Sequence, residues 1–225
     1  IARFQIGDGQ FAFSPVSPVL AYAAKGSPDR RAPPDRGSVR LWDMVNRRVV
    51  GELPVSGHFR AVAFSSAGTR LLTATDEFAV WSVADGTKLR SAAFPEPRGF
   101  DGRVPVLSRV VVSHDLSLAA HVIGGGRIRL VNLISGQELW TAQAADENVT
   151  SLAFSPDGKQ LASGAGFVES AVRLWDVATG RELARLEGHR TYVRSLVFWP
   201  DGATLASASG DQTIHLWDVS SVSQL

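Results

Sequence analysis

The chain has no cysteine, a single methionine and only three lysines (Lys25, Lys88 and Lys159) against twenty arginines. Without cysteine there are no disulfides, no thiolate chemistry and no cysteine-built zinc site. The scarcity of lysine beside abundant alanine and glycine points to coding from a GC-rich, bacterial genome. No apolar run approaches the roughly 18 residues that a membrane-spanning helix requires, so no membrane partner is expected. Charge of either sign is not in excess: 23 basic residues meet 22 acidic ones for a net charge of +1. That balance removes any global electrostatic case for nucleic acid or anionic lipid. The absence of cysteine makes the cytoplasm the expected location, and a chain that opens on Ile1 rather than Met is read as a piece of something longer.

What the sequence does have is a repeat. Leu-Trp-Asp occurs at Leu41-Trp42-Asp43, Leu174-Trp175-Asp176 and Leu216-Trp217-Asp218, with degenerate copies at Val80-Trp81-Ser82 and Leu130-Val131-Asn132. Successive central residues are 39, 50, 44 and 42 positions apart. A motif recurring about every 40–45 residues marks a repeat whose unit is one propeller blade. In the last unit Val193, Ser195 and Val197 alternate with Arg194, Leu196 and Phe198, the period of a strand. Pro200-Asp201-Gly202 is then a turn: Pro presets φ, Asp bonds its own backbone and Gly accepts the left-handed conformation. Strands follow at Leu205–Ser209 and Thr213–Val219, and Glu182–Leu186 shows the fourth strand of the preceding unit. Four short strands per unit without a helix signal predict propeller blades.

Gly188-His189, Ser155-Pro156-Asp157-Gly158, Leu205-Ala206-Ser207 and Leu216-Trp217-Asp218 together resemble the WD-repeat β-propeller family over essentially the whole chain. The resemblance implies a structural tetrad of His, Ser or Thr, Asp and Trp within a blade, matched in the last unit by His189, Ser207, Asp211 and Trp217. The other units depart from it. The fourth keeps Ser163 and Trp175 but has Glu169 in the Asp place and Ala145 where His belongs. The second has His58, Thr73, Asp76 and Trp81 with a shortened spacing after His58. The first has Tyr22 in the Ser place and keeps Trp42, and the third has Val131 in the Trp place.

A catalytic reading of these His, Ser and Asp residues needs an exposed nucleophile at a cleft with an oxyanion hole, whereas Ser207 falls mid-strand inside the repeat pattern. No catalytic residue is assigned. Gly124-Gly125-Gly126 lacks the following helix and the Lys-Ser/Thr of a phosphate cradle and reads as a turn. His114, His121 and His215 have no metal-ligand spacing, so neither metal nor other cofactor is expected. Outside the repeat stands an insertion, Ala24 to Gly37, with Arg30 and Arg31 at its tip. An irregular stretch from Phe94 to Arg103 lengthens the next link.

The expected fold is all-β: a WD-repeat propeller domain over 1–225 with five four-stranded antiparallel blades near 10–55, 58–94, 104–142, 148–187 and 191–219. Residues 1–5 should form an outer strand, and the blades should belong to a larger ring of about seven. Backbone hydrogen bonds between residues 2–5 and 214–219 would instead indicate a closed ring of five. Trp42, Trp81, Trp175 and Trp217 should be largely buried. The family resemblance implies a non-enzymatic scaffold for other proteins, a module of a larger signalling or regulatory protein. Arg190, Tyr192, Asp146 and Asn148 are expected at the mouth of the channel as partner contacts, because Arg and Tyr combine contact area with hydrogen bonding. Arg30 and Arg31 are the second choice. Two other classes remain: a propeller enzyme with a central-channel site, for which Asp8, Arg60, Asp146 and Arg190 make no coherent set, and nucleic-acid binding through the basic loop 25–36, which lacks interleaved aromatics.

Overall fold

Short runs of alternating apolar residues, each closed by a turn signal, set the architecture of the computed structural model, which describes residues 6–24, 37–55, 59, 61–75, 77–93, 110–166 and 168–222. Among these residues there are nineteen β-strands and no α-helix. The expected strand at 1–5, the insertion carrying Arg30 and Arg31, His58, Arg60, Asp76 and the stretch from 94 to 103 lie outside the described residues. Contacts divide the chain into two compact units, Ile1–Pro95 and Glu96–Leu225.

The first unit holds two antiparallel sheets. One contains β1 (Ile6–Phe13), β2 (Val19–Ala24), β3 (Ser38–Asp43) and β4 (Arg48–Pro54), and the second contains β5 (Ala61–Phe64), β6 (Arg70–Ala74), β7 (Glu77–Ser82) and β8 (Lys88–Ala93). One face of the first sheet contributes Ala21, Val39, Leu41 and Leu53 to a core shared with Val62, Leu71, Ala79 and Trp81 of the second. Each fully buried Leu or Val there contributes ~1.5–3 kcal/mol.

The second unit holds three sheets. They are β9 (Val110–Val112) to β12 (Glu138–Gln143), with β10 (Leu118–Gly124) and β11 (Arg127–Asn132) between them; β13 (Val149–Phe154), β14 (Gln160–Ala165), β15 (Val172–Asp176) and β16 (Glu182–Leu186); and β17 (Val193–Phe198), β18 (Thr204–Ser209) and β19 (Ile214–Asp218). The fifth sheet therefore has three strands among the described residues, while the other four have four each. Ile128 and Leu130 of the third sheet share a core with Leu152, Phe154, Leu161 and Trp175 of the fourth. Ala162, Val172 and Leu174 of the fourth share another with Val193, Leu196, Phe198 and Leu205 of the fifth. Trp140 on β12 also reaches across, its indole N–H donating to the carbonyl of Val177 at 2.8 Å.

The Asp of Leu-Trp-Asp has its own local role. Asp43 Oδ1 accepts the backbone N–H groups of Val45 and Asn46, both at 2.9 Å, and Asp176 Oδ1 accepts that of Thr179 at 2.7 Å. Each such carboxylate closes the hairpin to the last strand of its sheet. Four residues beyond the Asp position, Gly86, Gly136 and Gly180 sit at φ of 71°, 72° and 71°, and Arg47 holds the same place at 53°.

Two tryptophans depart from expectation. Trp81 and Trp175 are 3% exposed, whereas Trp42 and Trp217 are only half-buried. The reason lies in what covers each ring. Trp81 and Trp175 enter cores shared with the sheet before them in the chain. Trp42 packs against Leu20, Tyr22 and Ala24 of its own sheet, and Trp217 lies on the last strand of a three-stranded sheet.

Candidate functional site

Strand register fixes the polar chain at the centre of the fifth sheet. Ser207 on β18 stands opposite His215, and Trp217 two residues further on β19 stands opposite Leu205. The Trp217 indole N–H donates to Ser207 Oγ at 2.8 Å, and His189 Nε2 lies 2.7 Å from the same oxygen. His189 Nδ1 lies 3.0 Å from Asp211 Oδ2. Because Asp211 can only accept, Nδ1 carries the proton and Nε2 accepts the Ser207 hydroxyl. Every member is then satisfied, which is the condition under which a buried polar chain stabilises.

The same carboxylate secures the loops on either side. Asp211 Oδ2 also accepts the backbone N–H of Arg190 at 2.9 Å, and Oδ1 accepts the Thr213 hydroxyl at 2.6 Å and the Thr213 amide at 2.9 Å. The Thr213 hydroxyl first, then the Arg190 amide, hold the Asp211 carboxyl well below the usual carboxylate range. Ser207 is fully buried and its oxygen is committed on both sides, so this His–Ser–Asp set presents no open nucleophile.

The corresponding chain is cut down elsewhere. Trp81 donates to Thr73 at 2.9 Å in the second sheet, and Trp175 donates to Ser163 at 2.8 Å in the fourth. Glu169, in the Asp place of the fourth, takes part in an ion cluster instead: its Oε1 accepts Arg173 at 2.6 Å and Arg185 at 3.0 Å. With Ala145 where an imidazole would stand, the longer carboxylate reaches the guanidinium groups. In the third sheet the Ser place belongs to His121, opposite Arg129 and fully buried. The sequence pattern does not reveal His121 there because Val131 removes the Trp that marks the slot.

The loops that enter β13 and β17 carry the expected partner contacts. Asp146, Asn148 and Arg190 are exposed and Tyr192 is half-buried. Among the described residues no hydrogen bond or ion pair joins Asp146 or Asn148 to Arg190. What ties the two strand entries together is Thr150, whose hydroxyl lies 2.5 Å from the carbonyl of Val193. A residue not singled out from sequence completes the group: the Arg194 guanidinium lies 5.1 Å from the centre of the Tyr192 ring and donates to its hydroxyl at 2.5 Å. Gly210 makes room for that ring, since a Cβ there would stand 2.6 Å from Tyr192 Cε1 and 2.8 Å from Thr191 Oγ1. Its amide donates to the Tyr192 carbonyl at 3.0 Å. Loop 25–36, with Arg30 and Arg31, lies outside the described residues.

Among the described residues no cluster of His, Asp and Glu has metal-binding geometry. The turns Ser155-Pro156-Asp157 and Pro200-Asp201-Gly202 border a cleft of about 320 Å³. Their carboxylates are turned into their own loops: Asp157 Oδ1 accepts the Ser155 hydroxyl at 2.6 Å and Asp201 Oδ1 accepts the Ala203 amide at 2.8 Å.

Residues 180–218 match the family profile described as WD domain, G-beta repeat, and residues 112–191 match that of the anaphase-promoting complex subunit 4 WD40 domain. A chain of the solved structure entitled "Crystal Structure of Mitotic Checkpoint Complex" superposes with a TM-score of 0.68 at 20% identity. The fold is that of a WD-repeat β-propeller. The superposition covers 97% of this chain and 66% of that one, so this chain spans just under two thirds of that chain's length. No curated protein sequence matches it.

Proposed function

We propose that the chain is a protein-interaction platform with no catalytic activity of its own, a WD-repeat module of a larger signalling or regulatory protein in the cytoplasm. Its partner contacts are Arg190 and Tyr192, aided by Arg194, with Asp146 and Asn148 on the neighbouring loop. The carrying observation is that hydrogen bonds hold the Arg190–Tyr192 backbone while the Arg190 side chain is exposed and Tyr192 is half-buried. Asp211 holds the Arg190 amide, Gly210 holds the Tyr192 carbonyl and Arg190 itself is exposed. Among the described residues the Arg190 guanidinium makes no ion pair. Such a rigid Arg and Tyr pair loses little conformational freedom on binding, the property of interface hot spots.

The test is affinity capture with the immobilised chain, identifying retained proteins and repeating the capture with Arg190→Ala/Tyr192→Ala. The expected outcome is loss of the specifically retained proteins with a melting temperature within about 5 °C of the parent, since Arg190 is exposed and removing the half-buried Tyr192 ring costs only ~1 kcal/mol. Equal capture by the double variant and the parent removes these residues from the contact.

A further inference from the structure

Each of β13 and β17 has the loop of the proposed contacts at its start and a hairpin turn at its end, Ser155–Gly158 and Trp199–Gly202 respectively. The cleft of about 320 Å³ lies between these two turns. A Cβ at Gly202 would stand 3.8 Å from Pro156 Cδ, so the turns flank one another directly. Both walls belong to the second unit.

Each wall carries a carboxylate with one oxygen committed. Asp157 Oδ1 accepts the Ser155 hydroxyl at 2.6 Å and the Lys159 amide at 3.0 Å, and Asp201 Oδ1 accepts the amides of Ala203 at 2.8 Å and Thr204 at 3.3 Å. Neither Oδ2 accepts a hydrogen bond among the described residues. The third acceptor has a different origin. Gln160 is 6% exposed and lines the cleft, and its Oε1 is buried without a hydrogen-bond partner. Its backbone is pinned to Ser155: the Gln160 amide donates to Ser155 Oγ and its carbonyl accepts the Ser155 amide, both at 2.9 Å. Buried acceptors nearly always have a donor, and here the described chain supplies none. The terminal torsion of a Gln side chain is soft, so Oε1 can turn into the cleft while the backbone stays fixed.

We infer that this cleft takes an arginine side chain from a basic peptide segment of a partner, with its guanidinium against Asp157, Asp201 and Gln160. A guanidinium carries five N–H donors in a planar fork and no acceptor. It therefore serves acceptors on two walls at once, which the compact ammonium of lysine does less well. Pro156 and Pro200 also line the cleft, and their rings offer apolar surface to the aliphatic stem. Lys159, whose charge acts on Asp157, competes with such a guest. The site stands at the far ends of β13 and β17 from Arg190 and Tyr192, so it goes beyond the platform reading and does not depend on it.

The probe is a capped Gly-Ser-Arg-Ser-Gly peptide titrated into the isotope-labelled full chain and followed by amide NMR, with lysine and citrulline counterparts and calcium chloride as controls. With the arginine peptide alone, saturable shifts are expected at the Gln160 side-chain amide and at the backbone amides of Gly158 and Gly202. Asp157→Asn/Asp201→Asn keeps an Oδ1 for each turn and replaces the open oxygens, so it should weaken binding on the order of tenfold or more. Gln160→Leu should weaken binding while raising the melting temperature, because it removes a buried acceptor that has no partner. That pairing separates loss of the site from loss of the fold. Lys159→Gln should tighten binding. The absence of saturable shifts, equal shifts with lysine, citrulline or calcium, or undiminished binding by the Asp157→Asn/Asp201→Asn or Gln160→Leu chain each overturns the inference. Arg190→Ala/Tyr192→Ala should leave this titration unchanged, so failure here and failure of the platform reading are told apart.

Discussion

His189 Nδ1 and Asp211 Oδ2 lie 3.0 Å apart, and the same carboxylate oxygen accepts the Arg190 amide at 2.9 Å. One acid therefore anchors both the buried polar chain and the loop on which the proposed contacts stand. Its folded-state pKa is depressed, by the Thr213 hydroxyl first and the Arg190 amide second. A depressed carboxyl contributes stability that is present above its unfolded pKa, near ~3.9, and is lost as pH falls toward the folded value. Urea unfolding between pH 7 and pH 2 should show stability level down to about pH 5 and falling below it. Asp211→Asn should flatten part of that fall. Asp43 and Asp218 are also held low, by the Asn46 amide and the Ser220 hydroxyl respectively, and they account for part of the remainder. Superimposable slopes for parent and variant would remove Asp211 from the acid transition.

Ser207 tests the polar chain at its centre. Alanine there leaves both the His189 Nε2 and the Trp217 indole N–H without their partner. Each orphaned buried group costs ~1–3 kcal/mol, so Ser207→Ala should lose ~2–4 kcal/mol. For a domain of this size that is a fall of about 5–15 °C in melting temperature. A drop of less than a degree would mean that water or a neighbour replaces the hydroxyl.

The fourth sheet makes a different commitment. Glu169 and Arg173 are 7% and 13% exposed in their side chains, whereas Arg40 and Glu52 are 42% and 49% exposed. Removing one member of a buried pair strands the other, so Glu169→Gln should cost ~2–4 kcal/mol. Glu52→Gln, whose pair with Arg40 is open to solvent, should cost at most ~1 kcal/mol. Paired urea midpoints would show the contrast, and equal small shifts would mark the Glu169 cluster as solvent-screened.

The contrast also shows what a sequence can carry. Leu-Trp-Asp spacing reveals the sheets because each copy lies on the third strand of its sheet, and in the first and fourth sheets Asp43 and Asp176 close the hairpin that follows. The chain His189, Ser207, Asp211 and Trp217 is legible because four residue types recur at family spacing in one unit. Glu169 reads in sequence as a substitute for Asp, since only coordinates show that its extra methylene carries it to Arg173 and Arg185. Trp42 and Trp217 look identical to Trp81 and Trp175 in sequence, but burial depends on which neighbouring sheet covers the ring. Arg194 gives no sequence signal because its partner is the Tyr192 ring two residues away rather than a charge.

Arg47 offers a gain in stability. It holds φ 53° where Gly86, Gly136 and Gly180 occupy the same place in other hairpins, and its side chain is exposed. A side chain in the left-handed region costs ~1–2 kcal/mol, partly offset by the greater freedom of glycine in the unfolded chain. Arg47→Gly should therefore stabilise by ~0.5 kcal/mol and raise the melting temperature by about 1–2 °C. Gly136→Ala, the reverse change at the equivalent place, should lower it. The two shifts having the same sign would refute the argument from φ.

Gly210 separates the position of Tyr192 from its chemistry. A methyl group there would stand 2.6 Å from the Tyr192 ring and 2.8 Å from Thr191 Oγ1, so Gly210→Ala must displace the ring or shift the hairpin, at a cost of ~1–3 kcal/mol. Tyr192 itself stays intact. If the proposed contact needs the ring where Arg194 now holds it, Gly210→Ala should lose partner capture nearly as fully as Tyr192→Ala does. Tyr192→Phe keeps the ring and removes the hydroxyl that accepts from Arg194, so it should retain most capture. Fluorotyrosine incorporation gives an independent reading, because the chain has only two tyrosines, Tyr22 and Tyr192. The Tyr192 resonance should move in the Gly210→Ala protein while the Tyr22 resonance stays. A displaced Tyr192 resonance with undiminished capture would show that the partner does not read this ring, and the contact would then rest on Arg190 and the neighbouring loop of Asp146 and Asn148.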